Sequence, residues 1–303
     1  MIDPGQSACP AQNWKLTLAY DGTGFRGWQV QPGERTVQGE LQAALGRVTG
    51  ETPLPQGSGR TDAGVHALAQ VASFALHVPI PAGNLLMALN RTLPPSIRVL
   101  QTREVQSTFH ARHSAIAKTY EYHVFQEKLW PWNDKRAPGR ICPPFLAPYI
   151  YAYPWPLQLE ALQEAARALL GEHDFLSFAA TDPDLTMRCQ KASTAPETRP
   201  LPRPDFQIHP PTLATVRTLF ASAWEIQENE AGPHYLYRVR GSGFLHHMVR
   251  NLVGTMLDVG RGQLRAAQIP GIIAARSRSA AGPTAPAQGL FLHSVEYGGA
   301  EEG

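Results

Sequence analysis

Residues 57–67 read GSGRTDAGVHA, with a single carboxylate, Asp62, standing between an arginine and small residues. Gly59 and Gly64 allow backbone conformations and close approaches that other residues forbid, so the stretch reads as a tight turn able to project Asp62 into a cleft. Arg60, two positions earlier, can reach either that carboxylate or a phosphate. In isolation an RTD tripeptide is a turn cap and a solvated charge, so its meaning depends on its surroundings. His66, four residues after Asp62, reads as a group that steadies a turn by hydrogen bonds rather than as a base.

Working outward, the segment from Ala69 to His77 alternates and predicts a strand. Upstream, Leu16, Leu18 and Tyr20 alternate with Lys15, Thr17 and Ala19 in a first strand, which ends at the turn signal Asp21-Gly22. A helix is expected from Thr36, its N-cap, to Val48, with Gly50 as the stop. Downstream follow a helix at Ala82 to Asn90, a strand at Ile97 to Glu104 and a longer one at Ser114 to Phe125. The Pro- and aromatic-rich region from Trp130 to Pro156 reads as a connection.

The second half predicts a helix from Leu157 to Leu170 stopped by Gly171, and strands at Leu213 to Gln227 and Tyr235 to Arg240. Helices at Phe244 to Val259 and Ala266 to Ala275 and a closing strand at Leu290 to Tyr297 complete the pattern. Between Lys191 and Pro211 the prolines remove donors and fix φ, which predicts an exposed insertion loop, 191–211. The fold class is therefore α/β (α+β): two related lobes, 12–112 and 113–299, with mixed, mainly antiparallel sheets flanking a cleft.

At 303 residues, with 43% hydrophobic and 17% charged residues, the chain has the composition of a globular protein with a large core. No apolar run reaches the length of a membrane span and the N-terminus lacks a signal-peptide layout, so the expected location is the cytoplasm. Cys9, Cys142 and Cys189 show no paired spacing, which argues against a disulfide framework and a zinc site. The net charge of +2 is too small to identify a nucleic-acid partner. The kind of cation says more: only five of the 27 basic residues are Lys, an excess of Arg that fits bidentate phosphate contacts and equally a base-composition bias in the genome.

GRTDAGVHA resembles the catalytic motif of the tRNA pseudouridine synthase A family. YDGTGFRGWQ at Tyr20 to Gln29, TVQGELQAAL at Thr36 to Leu45 and FHARHSAIAKTYEY at Phe109 to Tyr122 resemble further landmarks of that family in the same order. GFLHHMVRNLVGTM at Gly243 to Met256 and TAPAQGL at Thr284 to Leu290 complete the set. The resemblance implies the pseudouridine synthase fold and an isomerase that converts uridine to pseudouridine in tRNA without a cofactor. It makes Asp62 the catalytic carboxylate, Arg250 its cationic partner, Tyr120 the aromatic against the target base and Leu290 part of the pocket lining. Arg60 would help displace the uridine from its stack. The family acts on neighbouring uridines on the 3′ side of the anticodon arm, as homodimers.

These roles make chemical sense. The reaction breaks the bond from N1 to C1′, turns the bound uracil and rejoins it through C5, so no redox partner is needed. The carboxylate either attacks C1′ or removes a ribose proton, and the residues do not choose between these routes. A nearby arginine opposes the tendency of a buried acid to take up a proton. A flat apolar surface lets the detached base turn, and an inserted arginine can fill the stack that a flipped uridine leaves.

Further phosphate contacts are expected from Arg26, Arg91, Arg112 and Lys118. GTGFRG, which lacks the P-loop Lys-Ser/Thr pair, reads as a loop that admits RNA backbone. His246 and His247, expected on the helix, would point in different directions and make a poor metal pair, so no metal is expected. The insertion at 191–211 and the flanking Thr119 and Glu121 depart from the family pattern. The competing readings are a tRNA-binding protein or RNA chaperone without turnover, and a pseudouridine synthase aimed at another RNA.

Overall fold

The computed structural model describes residues 10–127, 140–180, 215–228 and 233–298. They form two compact units. The first runs to Trp155 and takes in Glu225–Arg240 and the chain from Pro286 onward, while the second comprises Pro156–Trp224 and Gly241–Ala285. The chain-order boundary expected at 112/113 falls inside the first unit, because the strand that begins at Ala115 pairs within it. The insertion expected at 191–211 lies outside the described residues.

The first unit is a mixed sheet with helices, the α/β class expected from the alternation of patterns. In chain order it contains β1 (Gln12–Tyr20), α1 (Val37–Thr49), β2 (Gln56–Gly57), β3 (His66–Leu76) and α2 (Ala82–Thr92). Then come β4 (Ile97–Val105), β5 (Ala115–Gln126) and β6 (Tyr151–Tyr153). Leu16, Leu18 and Tyr20 are buried, as their spacing requires of one strand face. The Thr36 hydroxyl caps α1 by accepting from the Gly39 N–H at 3.3 Å, and Gly50 ends it at φ 78°, a conformation glycine adopts without strain. Leu41 and Leu45 of α1 are fully buried, each worth about 2 kcal/mol of transfer free energy.

The second unit opens with α3 (Leu159–Arg167) and β7 (Gly171–Asp174). The helix is shorter than the predicted Leu157 to Leu170, because its last turn tightens into Leu169→Ala166 and Leu170→Arg167 bonds. Gly171, at φ 96°, then starts β7. β8 (Val216–Gln227) begins in the second unit and ends in the first, and β9 (His234–Gly241) returns the chain to the second at its last residue.

α4 (Met248–Gly260) starts four residues later than predicted, because His247 adopts a left-handed conformation at φ 58° that no helix interior accepts. Leu245 therefore accepts from Met248 in a turn. The segment expected as one helix from Ala266 splits into a 3-10 turn and α5 (Ile269–Ala275), with Pro270 at the start of the latter, where its missing N–H costs nothing.

The last strand, β10 (Leu290–Tyr297), matches its predicted bounds and decides the layout of the first unit. Strand order there is β4-β1-β3-β10-β5-β9, so the C-terminal strand is sewn between β3 and β5. It runs parallel to β3, with Phe291 beside His66, and antiparallel to β5, with Leu290 opposite Tyr122 and Leu292 opposite Tyr120. Chain segments near 60, 120 and 290 thereby become neighbours.

In the second unit α4 is apolar nearly all round, and its one fully buried amide organises the surroundings. Asn251 donates to the Phe178 carbonyl at 2.7 Å. Its oxygen accepts from Arg278 at 3.1 Å and from the Thr284 hydroxyl at 2.6 Å. Asn251→Leu is expected to lower stability by about 3 kcal/mol, since it strands these partners in a dry site. Denaturant titration of the purified variant checks the figure.

Candidate active site

The loop that carries Asp62 is fastened through its backbone, and the side chain is left half-buried. Ser58 donates its N–H to the Val71 carbonyl at 2.7 Å and its hydroxyl to Gln70 at 2.6 Å. The Gln70 amide donates to the Gly59 carbonyl at 2.9 Å. Thr61 accepts from the Trp28 N–H at 3.0 Å, and its hydroxyl meets the Tyr20 hydroxyl at 2.7 Å. Burial pushes the Tyr20 phenol up to about 12, so it stays a neutral hydrogen-bonding group. On the far side Val65 closes the turn onto the Asp62 carbonyl at 3.1 Å, with Gly64 at φ 79°.

Two glycines of the 22–27 loop have a use besides the one expected. Gly27 sits at φ 90°, and a Cβ there would lie 2.5 Å from the Thr61 carbonyl oxygen and 3.1 Å from the Asp62 carbonyl carbon. A Cβ on Gly22 would collide with the backbone at Val65. The glycines admit the chain's own acid loop, and that close fit is what fixes the backbone at Asp62.

Tyr120 is buried on β5 near the same loop. Burial pushes its phenol up, and the nearby Asp62 carboxylate pushes in the same direction, so the carboxylate and the ring are electrostatic neighbours. The strand register puts Tyr120, Tyr122, Leu290 and Leu292 on one face of the sheet. Gly289 allows this, because a Cβ there would come within 2.8 Å of the Tyr122 ring. Tyr122 in turn donates to the Pro286 carbonyl at 2.8 Å.

Lys118, also on β5, donates to the Ser58 carbonyl at 2.5 Å, which directs its ammonium at the acid loop. Arg60 is exposed next to Asp62, Arg91 is exposed in the last turn of α2, and Arg112 is exposed in the turn before β5. Arg250 belongs to the second unit, where it is half-buried on α4 with its Nε donating to the Ala285 carbonyl at 2.8 Å. His246 and His247 precede α4 with their rings 4.0 Å apart, so the helical geometry that was expected to separate them is absent.

A cavity of about 720 Å³ opens beside the acid loop, with Ala63 and Gly64 in its lining. Thr23, Phe25 and Pro148 form other walls, and Arg26 and Arg35 supply cationic edges. Arg26 pairs with Glu34 at 3.3 Å, while Arg35 pairs with Glu40 at 2.7 Å and lies over the Phe25 ring at 4.7 Å. The space is large enough for a nucleotide and has guanidinium groups at its rim.

Comparison with known proteins bears on what this arrangement serves. Residues 17–114 and 204–298 match the family model described as tRNA pseudouridine synthase. A Solibacter usitatus protein named tRNA pseudouridine synthase A is 44% identical over 93% of this chain and 98% of its own length. Proteins of the same name from Moorella thermoacetica and Bacillus pumilus are 40% and 37% identical, each over 93% of this chain and 98% of its own length. The chain belongs to the tRNA pseudouridine synthase family.

In this synthase the motif residues were visible in the sequence, while their supports were not. Gln70 carries no motif signal, yet it is fully buried and holds both Ser58 and Gly59. Arg35, on the cavity edge, follows no motif that would single it out among the arginines. Among the described residues, no helix is long and apolar enough to cross a membrane.

Proposed function

We propose that Asp62 is the catalytic carboxylate of this chain and that its substrates are uridines in the anticodon arm of tRNA. The reaction is the isomerisation of uridine to pseudouridine in tRNA. What carries the assignment of the acid is the clamped loop: its backbone is pinned by Trp28, Gln70 and Gly27, while the carboxylate is half-buried beside Tyr120 and next to a nucleotide-sized cavity. Such an acid is held in place before substrate arrives, and pre-organisation of this kind accounts for much of enzymatic rate enhancement.

During the reaction the bond from N1 to C1′ breaks with the base still bound, the uracil turns, and a bond from C5 to C1′ forms. The proton lost from C5 leaves to solvent and N1 recovers one, so nothing is oxidised or reduced. Tyr120 and Leu290, which share one sheet face, supply the apolar surface against which the base turns. Arg60, exposed on the loop, fills the stack that the flipped uridine leaves. Arg250 keeps the acid charged, a role carried over from its motif. Arg26, Arg91, Arg112 and Lys118 contact the RNA backbone, and two copies of the chain share one tRNA in the cytoplasm.

The test is direct. Purified protein incubated with an unmodified tRNA transcript, with nothing else added but buffer and salt, is expected to give pseudouridine on the 3′ side of the anticodon arm when modified sites are mapped chemically. Pseudouridine elsewhere in the transcript would remove the anticodon assignment, and none at all would remove turnover.

A further inference from the structure

Four residues beyond Asp62, His66 is almost completely buried and ties together segments that are far apart in sequence. Its Nδ1 accepts from the Gly22 N–H at 3.0 Å, which fixes the proton on Nε2, and Nε2 then donates to the Pro148 carbonyl at 3.1 Å. The ring stacks on Phe291 with centroids 4.6 Å apart, and Tyr149 packs against it at 5.2 Å. Gly22 precedes the cavity residues Thr23 and Phe25, Pro148 lines the cavity, and Phe291 follows Leu290 in β10. One imidazole thus ties the turn that leads into Thr23 to the cavity residue Pro148.

We propose that His66 is a positioning residue for substrate: its neutral ring, accepting at Nδ1 and donating at Nε2, holds the turn at Asp21–Phe25 in the form that receives RNA, and a second proton on the ring releases that turn. The inference rests on reading the cavity beside Asp62 as the RNA site.

The groups facing the ring determine what a second proton would do. Asp21 is the nearest charge, with Oδ1 at 3.3 Å from Nδ1. That same oxygen accepts from the Thr23 N–H at 3.0 Å and the Thr23 hydroxyl at 2.6 Å. The Tyr149 hydroxyl donates to the other Asp21 oxygen at 3.0 Å, and His123 lies behind Phe291, its ring 5.2 Å from the phenyl. A proton added at Nδ1 turns the acceptor of the Gly22 N–H into a donor, so two N–H groups then oppose each other. The new N–H turns to Asp21 Oδ1 and competes there with Thr23, which lines the cavity. Burial holds the His66 pKa below its ordinary value, against the pull of Asp21, so the braced form persists below the usual histidine range.

Binding measured in an Asp62→Asn background separates this from titration of the acid. Affinity for an unmodified tRNA transcript is followed from pH 8 downward for that variant and for the double variant with His66→Asn, whose side-chain oxygen can still accept from Gly22 but does not titrate. Parallel titrations of a tRNA that does not change with pH in this range, judged by its melting, control for the RNA. The single variant is expected to lose about tenfold more affinity than the double variant on the acid side, the equivalent of one broken hydrogen bond. Identical pH profiles for the two overturn the proposal. Histidine 15N spectra of the wild-type protein provide a second reading that needs no variant to fold: His66 is expected to carry its proton on Nε2 alone at neutral pH, and a proton on Nδ1 overturns the brace. Turnover by the Asp62→Asn protein would sink the catalytic assignment and leave both comparisons readable.

Discussion

Asp62→Asn is expected to lower the rate of pseudouridine formation by at least about 10³-fold while changing tRNA affinity by no more than about threefold. The substitution preserves size and removes only the charge and nucleophilic oxygen pair. The loop is held by bonds to the backbone at Ser58, Gly59, Thr61 and Gly64, from Val71, Gln70, Trp28 and Phe25. Affinity therefore survives while chemistry fails, which is the signature of an interaction made only in the transition state. Single-turnover kinetics on an anticodon-arm transcript, with binding measured separately, distinguishes the two. Turnover within tenfold of wild type would remove Asp62 from catalysis, whatever the binding. A parallel loss of affinity would mean that the carboxylate holds the cavity together instead.

The contrast between legible and illegible features follows from how far each one reaches. Elements governed by local periodicity and caps were read with near-correct bounds: α1 begins after Thr36 and ends at Gly50, and β10 spans Leu290–Tyr297 as expected. Where a local signal competes with tertiary packing, the structure departs from the local pattern. His247 carries no mark of its left-handed backbone, so α4 starts later than its apolar pattern predicts. The two-residue β2 and three-residue β6 are too short for any periodicity and exist only because β3 and β5 offer open pairing.

The site shows the same division more sharply. Asp62, Tyr120 and Leu290 sit in motif strings, but why 62, 120 and 290 belong together is a matter of strand order, and nothing local says that β10 inserts between β3 and β5. The supports are less legible still. Gln70 reads as a polar strand residue, and His66 reads as a turn residue whose partners, Gly22 and Pro148, stand 44 and 82 positions away. The glycine-rich loop is visible as permissive backbone, but its contact with the acid loop is not. The atoms that need the space belong to Thr61, Asp62 and Val65.

Gly27→Ala is where that difference becomes measurable. If Gly27 served only to admit RNA, a single methyl there would weaken binding and leave the apo protein undisturbed. The geometry requires otherwise. At φ 90° an L-residue is strained by roughly 1–2 kcal/mol. Its Cβ would also stand 2.5 Å from the Thr61 oxygen, 3.1 Å from the Asp62 carbonyl carbon and 3.2 Å from the Ala63 nitrogen, all backbone atoms that cannot rotate aside. The acid loop must then move, and displacement of a catalytic group by about 1 Å costs on the order of 10²-fold in rate. The expected result is a stability loss of about 2–4 kcal/mol together with a fall of about 10²-fold in kcat, measured at a temperature where the variant is still folded. Gly33→Ala supplies the control, since Gly33 has a comparable φ of 75° with nothing within 4 Å of its Cβ position. It carries the backbone strain without the collision, so it is expected to lose about 1 kcal/mol of stability and keep its rate. Equal rates for the two variants would mean that Asp62 tolerates a shifted backbone, and that the clamp around it serves folding alone.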